Sequence, residues 1–457
     1  MEKRKENKMG VMPVPRLLVT MSLPIMASML VQALYNVVDS IFVAQISENA
    51  LTAVSLALPI QTLMIAVSVG TGVGINALLS RRLGEKQQEE ANTVAAQGLL
   101  LSVASWLVFL LFGIFFSRMF IAAFTNIPEI IEMGTEYVSI CTIFSFGVFV
   151  QVAFERIMQS TGNTIYHMFI QGVGAVTNII LDPIMIFSYF GCPAMGVAGA
   201  AWATVIGQIV AMILGAVLNH FKNKEVRITL AHFKPHGRII KEIYSVGFPS
   251  IIMQSISSIM TVGLNFILSL PTAISVYGVY YKLQTFVFMP IFGLTNAMVP
   301  IIGYNFGAKN RERIMGTIKL GLVISVGIMA AGTILFQLIP DKLLLLFNAK
   351  KDMLSLGVPA LRIIATCFVF AGIAIIFSAV YQALGHGFLS MALSIIRQLL
   401  VILPAAYILK SVFGGPAVWF AFPLSEIVAT TISIFLYRYI YKTVIQPLGN
   451  SKEASIL

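Results

Sequence analysis

Charge is scarce in this sequence. Lys, Arg, Asp and Glu make up 11% of its 457 residues, against about 25% in a soluble globular domain. With a mean hydropathy of +0.89, that scarcity excludes an ordinary water-soluble enzyme or binding module. Cysteine is scarce as well. Cys141, Cys192 and Cys367 are scattered, without a CxxC pair or a metal-ligand spacing, and read as small packing residues. The five histidines do not cluster. No HExxH, GxSxG or Walker motif is present, so the residues give no support to an enzyme or to a bound cofactor. The short alternating segments of an outer-membrane barrel are also missing.

What fills the chain is one apolar run after another. Leu51–Ser80 carries no charge over its whole length, longer than the roughly 20 residues a membrane-spanning helix needs. Twelve spans are expected, near 16–44, 50–79, 92–116, 131–156, 166–188, 196–219, 241–268, 273–302, 314–338, 354–381, 389–411 and 417–441. The expected fold is an all-α polytopic membrane protein with two six-helix bundles. Residues 1–219 form the first bundle, 220–240 a charged linker, and 241–457 the second bundle with a polar tail. The apolar run after the basic start is longer than a signal-peptide core, which predicts an uncleaved first helix.

The net charge of +11 does not indicate nucleic acid. Most of the basic residues sit in short segments between apolar runs. They concentrate in the start of the chain, around Arg81 and Arg82, in the linker, around Lys309–Arg313 and near Arg438. This bias predicts that both termini and the linker face the cytoplasm, in a plasma membrane with lipid as the surrounding partner.

The halves repeat. RLGEK at 82–86 matches NFGAK at 305–309, QSTG at 159–162 matches QALG at 382–385, and FGCPA at 190–194 matches FGGPA at 413–417. Each pair is 223 residues apart. Six helices per half makes this a parallel repeat, the design with which transporters rock two bundles around a central site.

Ionisable residues inside spans are functional candidates. They are Asp39, Glu155, Asp182, Lys282, Arg362, Arg397 and Glu426. Gln32, Tyr35, Asn36 and Asp39 share one face of the first span, since residues three and four apart are helix neighbours. The fifth span carries Gln171, Asn178 and Asp182, and the sixth carries Thr204 and Gln208. Single amides can simply tie helices together. Two carboxylates without a basic residue in the spans of the same half to neutralise them require another explanation. At the 223-residue offset Asp182 falls opposite Ala405 and Glu155 opposite Ser378, so ion coupling is expected in the first bundle alone. Glu426 and Arg397, on consecutive spans, are expected to pair. Pro24 and Pro183 are expected bend points of gating helices.

Two six-helix halves, SLPIMASMLVQALYNVVDS in the first span, and TNIILDPI followed by GVAGAAWAT together resemble the MATE (multidrug and toxin extrusion) transporters, in their DinF-like prokaryotic branch. The resemblance covers nearly the whole chain. It implies ion coupling at Asp39 and Asp182 with Asn178 and Glu155, in a cavity with Gln32, Tyr35, Asn36, Thr204, Gln208 and Lys282. Glu155 stands where relatives often have Asn. The NorM-like branch uses acids on the seventh and tenth helices; here the seventh has Gln254 and the tenth has no acid. The implied function is efflux of organic, cationic amphipathic compounds by a monomeric antiporter in a prokaryotic inner membrane. Two adjacent carboxyls in a partly dry pocket cannot both ionise cheaply, so one can hold a proton and exchange it for a cationic drug. The coupling ion is H+, with Na+ the rival, since Asp39, Asn178, Asp182 and Thr204 offer oxygen ligands. The alternative reading is a flippase for lipid-linked oligosaccharides, with Lys282 and Arg397 beginning a groove for its pyrophosphate.

Overall fold

A computed structural model describes residues 6–191, 193–347 and 349–448. Among these there are helices and no strands. A short helix α1 (Lys8–Val11) precedes α2 (Val14–Ala44), α3 (Glu48–Gly84) and α4 (Gln88–Phe115). A six-residue turn of helix, α5 (Ser117–Ala122), leads to α6 (Pro128–Ile143) and α7 (Phe146–Ser160). Then come α8 (Thr164–Phe187), α9 (Gly196–Lys222), α10 (Gly237–Leu268), α11 (Pro271–Gly307) and α12 (Arg311–Leu338). The chain ends through α13 (Pro340–Leu345), α14 (Lys351–Ala365), α15 (Phe368–Ala383), α16 (Gly387–Ile395), α17 (Leu403–Phe413) and α18 (Ala421–Ile440). Ten helical stretches are long and apolar enough to cross a membrane, or twelve when each of two bent pairs is one span. Their outer faces carry exposed Phe266, Leu338 and Phe413, as expected where lipid rather than water is the solvent.

The bent pairs depart from the expected single helices at 131–156 and 354–381. α6 and α7 meet at 42° and α14 and α15 at 48°. Neither break sits at a proline. At the first, the backbone N–H and hydroxyl of Ser145 both donate to the carbonyl of Thr142, and the Thr142 hydroxyl donates to Val138. At the second, Thr366 bonds twice to the carbonyl of Ile363, and the Cys367 thiol donates to that of Ile364. Side chains that capture carbonyls in this way compete with the helix ladder and bend it. Pro24 and Pro183 instead lie inside continuous helices.

The repeat is visible residue by residue. α3 and α11 have 37 residues each, and α4 and α12 have 28 each. The left-handed backbone positions recur as well: Lys86 with Lys309, Gly162 with Gly385, and Gly191 with Gly414. These fall in the three matching motifs. A residue without a Cβ enters this conformation freely, which explains four of the six.

The chain forms two compact units, Leu23–Ile251 and Met1–Ser22 with Ile252–Leu457. α2 and α10 therefore each run from one unit into the other, beside Pro24 and Pro249. In the first unit the core gathers around Tyr137, Val138, Phe149, Ala200 and Ala201. The linker is pinned to α4 there: Gln97 donates to the carbonyls of His232 and Lys234, and accepts from the His236 backbone. Arg82, only 12% exposed, pairs with Glu85, Glu90 and Glu242 at 2.7, 3.0 and 2.6 Å. In the second unit the core gathers around Tyr277, Tyr280, Phe368 and Trp419. Residues 8–12, expected as part of a cytoplasmic tail, are docked in this unit. Asn305 and Arg313 both donate to the carbonyl of Met9, and Arg313 also to that of Met12.

Candidate functional site

The site begins with the packing of α8 on α9. Gly174 and Gly207 face each other there. A Cβ on Gly207 would stand 2.8 Å from the carbonyl oxygen of Gly174, and one on Gly174 would stand 3.1 Å from that of Gly207. Small residues of this kind let membrane helices approach to backbone contact. The approach carries Thr204, one turn before Gly207, to Asn178, one turn after Gly174. Asn178 Nδ2 donates to Thr204 Oγ1 at 3.2 Å and to Asp182 Oδ1 at 3.5 Å. Asp182 is fully buried and Asn178 is 2% exposed.

α2 supplies the second carboxyl. Asp39 is half-buried and stands next to Asp182, close enough for the two carboxyl groups to share a hydrogen bond. Two carboxylates cannot make that bond; it needs a proton on one of them. Tyr35, one turn before Asp39, lies within electrostatic range of both acids. Asp39 Oδ1, Asp182 Oδ2 and Asn178 Oδ1 are buried and receive no hydrogen bond from the described residues. No ion pair in the first unit involves Asp39 or Asp182 among those residues. The arrangement is thus rich in unmet acceptors and poor in donors. It can hold a proton between the acids, and it offers oxygen to a cation.

The structure brings further groups to Asp39 that the sequence reading leaves out. Tyr137 and Cys141, one turn apart on α6, both lie near it. Gln61 of α3 donates to the Tyr137 hydroxyl at 3.1 Å. Cys141 is buried, as a packing residue would be. Gln61 and Tyr137 are polar groups in apolar spans, the one signal that could have found them. Cys192 lies outside the described residues.

The other expected residues distribute unevenly. Gln32, Gln171 and Gln208 are half-buried, and Gln208 packs against Gly147 of α7. The side chain of Asn36 lies outside the described residues. Lys282 belongs to the other unit, where it is exposed with its ammonium 5.8 Å from the centre of the Phe347 ring. Arg397 pairs with Glu426 at 3.4 Å. Glu155 is buried at 4% exposure, but its partners are Gln151 and His167. His167 precedes Asp182 on α8 by four turns, or roughly 20 Å at the rise of an α-helix. Glu155 is therefore no part of the Asp39–Asp182 pair. Among the described residues no cluster of His, Cys, Asp and Glu could hold a metal ion.

Known proteins resemble this chain over nearly its whole length. The multidrug export protein MepA of Staphylococcus haemolyticus is 26% identical over 419 residues, which is 91% of this chain and 91% of the relative. MepA of Staphylococcus aureus is 26% identical over 437 residues, 93% of this chain and 94% of the relative. Among solved structures, the outward-facing conformation of a multidrug resistance MATE family transporter of the MOP superfamily matches with a TM-score of 0.90 at 26% identity. The match covers 98% of this chain and 100% of the other. A MOP superfamily transporter from Pyrococcus furiosus, described as having a binding pocket of reverse polarity, matches with a TM-score of 0.89, 26% identity and the same coverage. The family model for MatE fits twice, over residues 24–184 and 247–408. The two fits start 223 residues apart, the spacing of the repeated turns, and the first of them contains both Asp39 and Asp182. The chain belongs to the MatE family.

Proposed function

We propose that this protein exports organic, cationic amphipathic compounds across a prokaryotic plasma membrane in exchange for protons, with Asp39 and Asp182 as the exchange site. The observation that carries this reading is the pairing of two carboxyls next to each other without a basic partner. One proton between them satisfies the pair; a bound cation can replace it. Asn178 and Thr204 position Asp182, and Tyr35 and Tyr137 wall the pocket on the side of Asp39. Alternating exposure of this pocket to the two faces of the membrane would move a cation one way and a proton the other. The proton gradient supplies the drive, and the membrane potential adds about 2.3 kcal/mol per charge per 100 mV. The names of the MepA relatives, multidrug export proteins, support this substrate class. Na+ is the competing ion, since the three unmet oxygens of Asp39, Asp182 and Asn178 could also ligate it. The flippase reading needs a free cationic groove, and the charge of Arg397 is matched by Glu426.

The test is uptake of a fluorescent lipophilic cation into everted vesicles under an imposed pH or Na+ gradient. Uptake that follows the pH gradient is expected, with Asp39→Asn and Asp182→Asn each lowering it at least about tenfold, a loss of about 1.4 kcal/mol in the driven step. Wild-type rates in both variants would remove the site assignment, and indifference to both gradients would remove the antiport reading.

A further inference from the structure

A second group of buried titratable residues lies in the first unit, apart from the aspartate pair. Glu155 on α7 is 4% exposed and His167 on α8 is 5% exposed. Glu155 Oε2 faces His167 Nδ1 at 3.5 Å. The other ring nitrogen, His167 Nε2, meets Ser28 Oγ of α2 at 3.2 Å, and Ser28 is fully buried. Ser28 lies one turn beyond Pro24. Its hydroxyl also lies 2.8 Å from the carbonyl oxygen of Ile25. Gln151 donates to the remaining oxygen of Glu155 at 2.9 Å.

The protons in this chain can be counted. The Ser28 hydroxyl has one hydrogen. When it donates to the Ile25 carbonyl, Ser28 Oγ must accept from His167, so Nε2 carries a hydrogen. A neutral ring then turns the lone pair of Nδ1 toward a Glu155 oxygen. Two acceptors facing each other repel unless a proton lies between them. The arrangement with Ser28 bonded to Ile25 therefore needs one extra proton on the Glu155–His167 pair. When that proton leaves, the ring keeps a hydrogen on Nδ1, donates it to the carboxylate, and accepts at Nε2 from Ser28. Ser28 must then release Ile25. Losing one proton thus reverses the hydrogen bond between His167 and Ser28 and takes the Ser28 hydroxyl from the Ile25 carbonyl.

We propose that Glu155 and His167 form a second proton-binding site, and that its proton decides whether the Ser28 hydroxyl donates to its own helix or to His167. The charged group beside both is Arg156. It is on the helix of Glu155, with its stem over Gly72 of α3 and Nη1 donating to Gln159 at 2.9 Å. α2 contributes Ser28 and α3 contributes Gly72 and Asn76, which carry no charge. The proton site acts on α2 just past its proline. It stands apart from the reading of Asp39 and Asp182.

The direct test is pH-difference infrared spectroscopy of the protein in lipid nanodiscs, which sees the carbonyl stretch of a protonated carboxyl. The Asp39→Asn/Asp182→Asn double variant is expected to keep a titrating carboxyl band contributed by Glu155. Adding Glu155→Gln removes that band, and adding His167→Gln shifts its midpoint by a unit or more of pH. Ser28→Ala, the variant least able to disturb folding, keeps the band while moving the ring-nitrogen signals of His167 in 15N NMR. A double variant without a titrating band, or a band unaffected by Glu155→Gln, would overturn the proposal. Neither result would bear on the aspartate pair.

Discussion

Asn178 holds two acceptors with one amide nitrogen, Thr204 at 3.2 Å and Asp182 at 3.5 Å. It therefore fixes the rotamer of Asp182 without neutralising it. Asn178→Ala leaves both acceptors without that donor, at a cost of about 1–3 kcal/mol for an unsatisfied buried group. The expected outcome is a folded transporter whose dye uptake falls about as far as in Asp182→Asn, while Asn178→Gln retains less than half of wild-type uptake. Vesicle uptake normalised to protein level checks both. The acids themselves were legible in the sequence, because a carboxylate in an apolar run costs too much to be accidental. Tyr137 and Cys141 were not, because they sit on a span otherwise read for its apolar length, and only the fold shows which of its faces meets Asp39. Glu155 is a different case. Its charge and depth marked it out, but charge alone does not say which other acid it accompanies.

Among the elements, the contact of α8 with α9 does most to shape the pocket. It depends on Gly174 and Gly207 having no side chains. Gly207→Ala would put a methyl group 2.8 Å from a backbone oxygen that cannot swing away. Overpacking of this kind costs about 1–3 kcal/mol. The variant is expected to melt at lower temperature in a detergent thermal-shift assay and to lose dye uptake, because Thr204 no longer reaches Asn178. Gly172, whose added Cβ would meet nothing within 4 Å, is the control: Gly172→Ala should leave both readouts near wild type. The helices themselves were legible from apolar length. The breaks in the fourth and tenth spans were not, because Ser145, Thr142, Thr366 and Cys367 are ordinary small residues until their side chains are seen to take helix carbonyls.

For the whole molecule, the repeat was the most legible property, since the left-handed turns that join the helices impose the same short motifs twice. How the chain divides into units was less legible. The sequence changes composition at the charged linker, whereas the compact units exchange within α2 and α10, beside Pro24 and Pro249. The charged linker, 220–240, also reads as a loose tether, yet Asn92, Gln97 and Arg82 hold it or the helix it enters. Arg82→Gln removes three ion pairs from a side chain that is 12% exposed. The expected outcome is at least a severalfold faster tryptic cut between Lys222 and Arg238, followed by gel analysis of inside-out vesicles, with helices elsewhere still protected.

In the proposed cycle a cation binds at Asp39 and Asp182 by displacing a proton. Proton release on binding measures this without gradients or membranes. Purified protein in a weakly buffered detergent solution near neutral pH is mixed with tetraphenylphosphonium, and the pH change is recorded beside the heat of binding. The wild type is expected to release a proton as the cation binds, and Asp39→Asn and Asp182→Asn to release none. Cation binding of wild-type strength with no proton released, or release undiminished in both variants, would contradict that cycle.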